Sequence, residues 1–274
     1  MGSLYSLNAL GLTFIYGVVG LINFAYSDLM MIAMFLAYTF YFFLSLDSLF
    51  SMPIIILICA FLGWLSYVVI VRRVLNSIMV AQALATFGLA IFLRNIVVLI
   101  FTQDYRLIKE PIVQGQIYLR GLCIPLPLLF AAFVSIISST VLWVFLINTK
   151  MGLALRATAN NRQAALLMGI NIDRMFGIAF IIGSILVGIA GTVLSNFFYI
   201  YPYIGENFII IIFATIALGG FGSLPGAFIA GLIIGLVESF AGFYLDPSLK
   251  YSVVFLVYFA VVIFRPTGLK GWKV

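Results

Sequence analysis

Apolar runs close to twenty residues long recur along this chain, and they constrain its fold more than any other feature. They cover residues 4–21, 29–46, 54–71, 78–101, 125–147, 175–198, 208–218, 227–245 and 251–264. A helix rises 1.5 Å per residue, so about 20 residues cross a hydrocarbon core of roughly 30 Å. Polar punctuation separates the runs. Asp47 and Pro53 bracket a turn, and Arg72-Arg73 stops the third run. The chain is 65% hydrophobic and only 8% charged, whereas soluble domains carry about 25% charged residues. It has too few charges to face water, and a bilayer removes that need because lipid-facing positions can be apolar all round. The expected fold is an all-α polytopic membrane bundle of about eight or nine spans, a single transmembrane domain over residues 1–274.

The net charge of +6 sits at span ends, which suits membrane orientation and not nucleic-acid binding. Short loops rich in Lys and Arg stay in the cytoplasm. Arg72, Arg73, Lys150, Arg156, Arg162, Arg174 and the tail residues Arg265, Lys270 and Lys273 fall on one side of the scheme. Asp47, Asp104, Glu110, Glu206 and Asp246 fall on the other. A cytoplasmic C-terminus follows, while the side of the N-terminus depends on how the chain passes residues 23–28. No Lys or Arg precedes the first run, so no cleavable leader is expected. The sequence holds no His, and Cys59 and Cys123 have no ligand spacing; neither a metal site nor a catalytic constellation is expected. No phosphate-binding Gly-rich loop ending in Lys-Ser/Thr occurs, so the chain is not expected to hydrolyse ATP itself or to need a cofactor of its own.

Two interruptions put glycine and polar residues where membrane is expected. The first holds Gly17, Gly20 and Asn23-Phe24-Ala25-Tyr26-Ser27-Asp28. The second holds Gly219-Gly220-Phe221-Gly222-Ser223-Leu224-Pro225-Gly226. Irregular backbone at membrane depth is tolerated only where protein or a water-filled cavity satisfies it, and broken helices of this kind build transport paths. Residues 23–28 and 219–223 are therefore expected to approach each other and line a substrate path. Asp28 is a candidate N-cap for the following helix, as is Ser223 with Pro225. Their likeness hints at an internal repeat. Gly231 and Gly235, four apart, read instead as a close-packing face.

The most polar segment, about residues 148–174, contains a short helix that Asn161 can cap and Gly169 can end. It carries Arg156, Ala157, Ala164, Ala165 and Leu166. A small apolar face outside the membrane asks for a partner. Two ionisable residues, Arg94 and Glu238, fall within spans at similar distances from the outer end. Intramembrane charges are costly and usually pair, so a mutual ion pair is the expectation, with Arg94 snorkelling outward as its competitor.

At these motifs the sequence resembles the LivH-type inner-membrane permeases of ABC importers for branched-chain amino acids, a group that includes urea and short-amide permeases. The likeness is carried by Gly11-Leu12-Thr13, Tyr16-Gly17, Asn23-Phe24-Ala25, Phe92-Leu93-Arg94-Asn95, Met151-Gly152, Arg156-Ala157, Ala165 and Gly169-Ile170-Asn171. Toward the end it continues in Ala190-Gly191, residues 219–227, Gly231, Gly235, Glu238 and Pro266-Thr267-Gly268-Leu269. The family usually follows Asn-Phe-Ala with His-Gly-Glu; here Tyr26-Ser27-Asp28 stands instead, and this bears on substrate. The resemblance implies a non-catalytic permease half in the cell inner membrane. Its implied partners are a second related permease, two cytoplasmic ATPase subunits that bind the ATP, and an extracytoplasmic binding protein. Arg156, Ala157, Asn161, Ala164, Ala165, Leu166 and Gly169 would then form the ATPase coupling surface. A sugar-type permease and an ion-coupled secondary transporter are the competing readings.

Overall fold

The structure is a computed structural model that describes residues 1–119, 122–244, 250–264 and 268–269. Asp246, Pro247, Arg265, Pro266, Thr267, Lys270 and Lys273 lie outside these residues. Helix α1 (Gly2–Val19) is followed by α2 (Tyr26–Leu44) and α3 (Ser48–Ser66), which continues through a π turn at Tyr67–Val71 to Val74. Helix α4 (Met79–Phe101) leads to a hairpin of β1 (Gln116–Leu119) and β2 (Leu122–Pro125). Then come α5 (Leu126–Asn148), α6 (Lys150–Asn160), α7 (Arg162–Leu167), α8 (Ile172–Leu194), α9 (Ile204–Gly219), α10 (Leu224–Tyr244) and α11 (Lys250–Phe264). Among the described residues, seven helices are long and apolar enough to cross a membrane, and α9 and part of α11 are shorter apolar helices.

Local chemistry explains most boundaries. Asp47 caps α3 by accepting from the Leu49 amide at 2.9 Å, and its other oxygen accepts from Ile112 N at 2.7 Å. Pro53 does not mark the turn; it sits inside α3, whose first residue is Ser48. Thr149, Asn161 and Asn171 cap α6, α7 and α8 through their side chains. Asp28 is not the N-cap of α2: Ala25 holds that position without a side-chain bond, and Asp28 lies in the first turn.

Helix α1 is the axis of the bundle, with 83% of its span buried. It packs against α8 and α10, and α8 also packs against α2 and α3. Small residues make these crossings close. A Cβ on Gly231 would lie 2.4 Å from the Ser6 amide, and one on Gly235 would lie 2.1 Å from the Gly2 Cα. Apolar burial gives little drive between helices in lipid, so such close van der Waals contact does the holding. Gly231 and Gly235 thus form the packing face expected of them. Arg72, Lys150, Arg156 and Arg162 gather at one end of the bundle, hereafter the basic end. Arg72 pairs with Asp173 at 2.9 Å there, and the Tyr67 hydroxyl donates to the same carboxylate at 2.6 Å, joining α3 to α8.

Candidate functional site

The first interruption is a non-helical stretch, residues 20–25, fitted against one face of α4. Gly20 ends α1 in the left-handed region at φ 70°, with its amide bonded to Tyr16 O. The chain then climbs beside Thr86, Ala90 and Arg94, which lie four residues apart and so share a face, with about 6 Å of rise between successive members. The Thr86 hydroxyl lies within 3.3 Å of Ile22 O and shares its single proton between that carbonyl and Ala83 O of its own helix at 3.0 Å. Ala25 is buried against Leu89 and Ala90. The buried Asn23 carboxamide accepts from the Ala25 amide at 3.1 Å. Thr86 is seven residues into α4, so this backbone lies about 10 Å in from the helix start. Irregular backbone at that depth needs satisfied polar groups, and these side chains satisfy some of them. Behind it the Tyr26 hydroxyl reaches Gly183 O at 3.3 Å, through a gap that only a glycine at position 11 leaves open.

The second interruption, residues 220–223, is built from backbone. Gly220 and Gly222 have φ of 96° and 81°, a region that L side chains avoid. The Ser223 hydroxyl accepts from the Gly226 amide at 3.2 Å, which makes Ser223 the cap expected of it, with Pro225 in the first turn of α10. The amide of Leu269 donates to Leu218 O at 2.8 Å, so the tail satisfies a carbonyl at the end of α9.

The two interruptions meet one turn earlier than expected. Gly20, Phe221, Gly222 and Arg162 line a shared cavity of about 280 Å³, and the Tyr16 and Phe221 rings stand 5.1 Å apart. Residues 23–28 instead face α4 and α9: the Phe24 ring lies 5.3 Å from Phe213, and the Ser27 carbonyl and Asp28 carboxylate pack on Gly205. A larger cavity of about 530 Å³ joins Gly222 to Thr13, Gly17, Arg156 and Asn160. The second interruption therefore shares its surroundings with the segment read as the coupling element.

That segment has the expected form. Asn161 accepts from Ala164 N at 3.0 Å, and Gly169 closes α7 at φ 80°. Its faces differ from expectation in one respect. Ala165 is buried, whereas Ala164, Leu166, Leu167 and Met168 are exposed, Leu167 at 87%. Arg156 and Asn160 border the larger cavity. Arg162, an exposed residue, reaches back over α1 and α8: it donates to Val19 O and stacks over the Phe176 ring at 5.0 Å. A cation at the C-terminal end of α1 meets the negative pole of that helix. The sequence had marked Arg162 only as a positive residue.

The intramembrane charges pair differently from the sequence expectation. Arg94 does not reach for Glu238; its Nη2 lies 3.2 Å from Asp28 Oδ1, and its Nη1 pairs with Glu206. The Tyr203 ring lies 5.7 Å from the guanidinium. Distance along a helix gives depth but not direction around the bundle, and α4 packs beside α2. Glu238 is buried on α10, one turn beyond the Gly235 contact with α1. The sequence places Glu206 only among the charges opposite the basic loops. It lies in the first turn of α9, next to Gly205, and Glu206 with Asn207 at the head of an otherwise apolar helix was the available signal.

The family profile described as branched-chain amino acid transport system, permease component, matches residues 1–263. The chain is 33% identical over 291 residues to the high-affinity branched-chain amino acid transport system permease protein LivH of Escherichia coli K12, covering 99% of this chain and 92% of that one. It is 30% identical, with the same coverage, to BraD of Pseudomonas aeruginosa, which carries the same description. The ribose import permease RbsC of Bacillus subtilis is 30% identical over 46% of this chain and 39% of its own length. No solved structure matches.

Proposed function

The chain belongs to the family of permease components of branched-chain amino acid transport systems, and from that premise we propose that it forms one half of the path by which an ABC importer moves branched-chain amino acids across the inner membrane. A permease component of this kind is a multi-pass inner-membrane subunit and works with a partner ATPase and a binding protein. The finer reading is a complex of this chain, a second related permease and two ATPase subunits that bind the ATP, with substrate delivered by an extracytoplasmic binding protein. The basic end is the cytoplasmic end, because Arg and Lys in short loops are retained there; by the helix order this puts the C-terminus in the cytoplasm.

One observation carries this reading: the second helix break shares a cavity with Arg156 and Asn160 of the segment that presents an apolar surface at the basic end. A partner that moves α6 and α7 would act directly on the backbone at Gly222. The path is assigned to residues 23–28 and 219–223, and the coupling surface to Arg156, Ala157, Asn161, Ala164, Leu166 and Gly169. Ala165 supports that surface from beneath. Full-length likeness to amino-acid permeases and only partial likeness to RbsC favour an amino acid over a sugar.

The test is affinity purification of the tagged chain from its own membranes, followed by reconstitution of the purified complex in vesicles. An ATPase should co-purify, and ATP with the binding protein should drive uptake of leucine, isoleucine or valine. Uptake that follows an ion gradient without ATP, or ATP-driven uptake of a sugar and none of these amino acids, would refute the proposal.

A further inference from the structure

Arg94, Asp28 and Glu206 form a trio of one guanidinium and two carboxylates supplied by α4, α2 and α9. As a purely structural lock it is poorly made. Both Arg94–Asp28 bonds, from Nε at 3.3 Å and Nη2 at 3.2 Å, use Oδ1 alone. Asp28 Oδ2 and the neighbouring Ser27 hydroxyl are buried with no hydrogen-bond partner among the described residues. The Asp28 and Ser27 side chains belong to residues only 1% exposed. Buried polar atoms are satisfied in the great majority of cases, and each exception asks for an explanation. A lock would also be closed to solvent, whereas the Glu206 side chain is 53% exposed and the trio opens to the surface there. Gly205 lets the first turn of α9 lie on Asp28, since a Cβ there would stand 3.1 Å from Oδ1.

We propose that this trio is a charge-exchange site for the zwitterionic head of an amino acid, with Arg94 taking the α-carboxylate and Glu206 and Asp28 taking the α-ammonium. The inference rests on the amino-acid reading above and adds the residues that would recognise the head group. Arg presents a planar fork that suits a carboxylate bidentately. A zwitterion exchanges the two internal ion pairs for intermolecular ones, its carboxylate on the guanidinium and its ammonium between the two carboxylates, and leaves the net charge of the site unchanged. A ligand bearing only a carboxylate adds to the excess negative charge of one guanidinium and two carboxylates at membrane depth, which is costly, whereas an ammonium alone offsets that excess without engaging Arg94. The site therefore prefers the zwitterion to a carboxylate of the same shape, and Arg94 is what distinguishes its hold on the zwitterion from its hold on an amine.

The experiment uses the reconstituted complex with Ile210→Cys, an exposed position one helical turn from Glu206, and with Cys123→Ser to remove the exposed native thiol; Cys59 is buried. Labelling by a small polar thiol reagent is timed with free leucine, leucinamide (ammonium only) and isocaproate (carboxylate only). Leucine is expected to slow labelling about tenfold and isocaproate at the same concentration by less than about twofold, while any protection by leucinamide should not depend on Arg94. Arg94→Gln should abolish protection by leucine, and Arg94→Lys should restore a measurable part of it. Equal protection by all three compounds, or protection by leucine that survives Arg94→Gln, overturns the proposal, as does the absence of any protection. Leucine uptake by the same vesicles without the Ile210→Cys change is scored separately. A working importer with no protection refutes the site and leaves the transport reading standing, and protection without uptake does the reverse.

Discussion

The two helix breaks begin alike in sequence and are solved differently in space. Residues 20–25 are held by side chains: Thr86 of α4 reaches Ile22 O, Asn23 within the break accepts from Ala25 N, and Ala25 is buried against α4. Residues 220–223 rely on two glycines in the left-handed region and on a carbonyl of α9 satisfied by Leu269. Phe221 is exposed, whereas Asn23 is buried. A break pinned by side chains on a neighbouring helix is fixed in place, while one shaped by glycine can change its dihedrals at little steric cost. On the proposed path the first would therefore act as a wall and the second as its hinge.

The largest expected effect removes the comparison altogether. A Cβ on Gly226 would lie 2.0 Å from Gly219 O, so Gly226→Ala should separate α9 from α10 and cost about 3 kcal/mol. Thermal unfolding in detergent should show it as a lower midpoint and a loss of folded protein. Asn23→Ala tests the wall. It deletes the bond to the Ala25 amide in a buried place and should cost about 2 kcal/mol, with transport falling in step with the folded fraction. Gly222→Ala tests the hinge. Space is open around it, since the nearest atom to a new Cβ is Gly17 Cα at 3.8 Å. Only the positive φ is penalised, by about 1–2 kcal/mol, yet transport should fall further than stability accounts for. If Asn23→Ala showed that split and Gly222→Ala did not, the roles would be reversed. The smallest stability effect belongs to Leu167→Ser at the exposed tip of α7. It should stay within about 0.5 kcal/mol while lowering substrate-stimulated ATP hydrolysis, measured on the reconstituted complex.

The features readable from sequence were those set by local chemistry. Asn161, Gly169 and Ser223 stand where capping preferences put them, and the helices follow the apolar runs to within a few residues. Features that depend on which helices become neighbours were not readable. Arg94 and Glu238 share a depth, but depth fixes only one coordinate, and Asp28 and Glu206 occupy the place beside Arg94 instead. Ala165 shows the same limit on a smaller scale. A six-residue helix is too short for its pattern to tell a buried small residue from a docking one, and the Ala165 amide and carbonyl both serve the local turn. Arg162 was visible as a charge, but its bond to Val19 O depends on where α1 ends relative to α7.

The wall-and-hinge account is tested most directly by hydrogen–deuterium exchange on the complete transporter, nucleotide-free and trapped with ATP and vanadate. Amides of residues 220–223 and of α7 should change exchange together between the two states, while those of residues 22–25 stay the same. A change confined to residues 22–25, or an equal change at both breaks, would contradict the account.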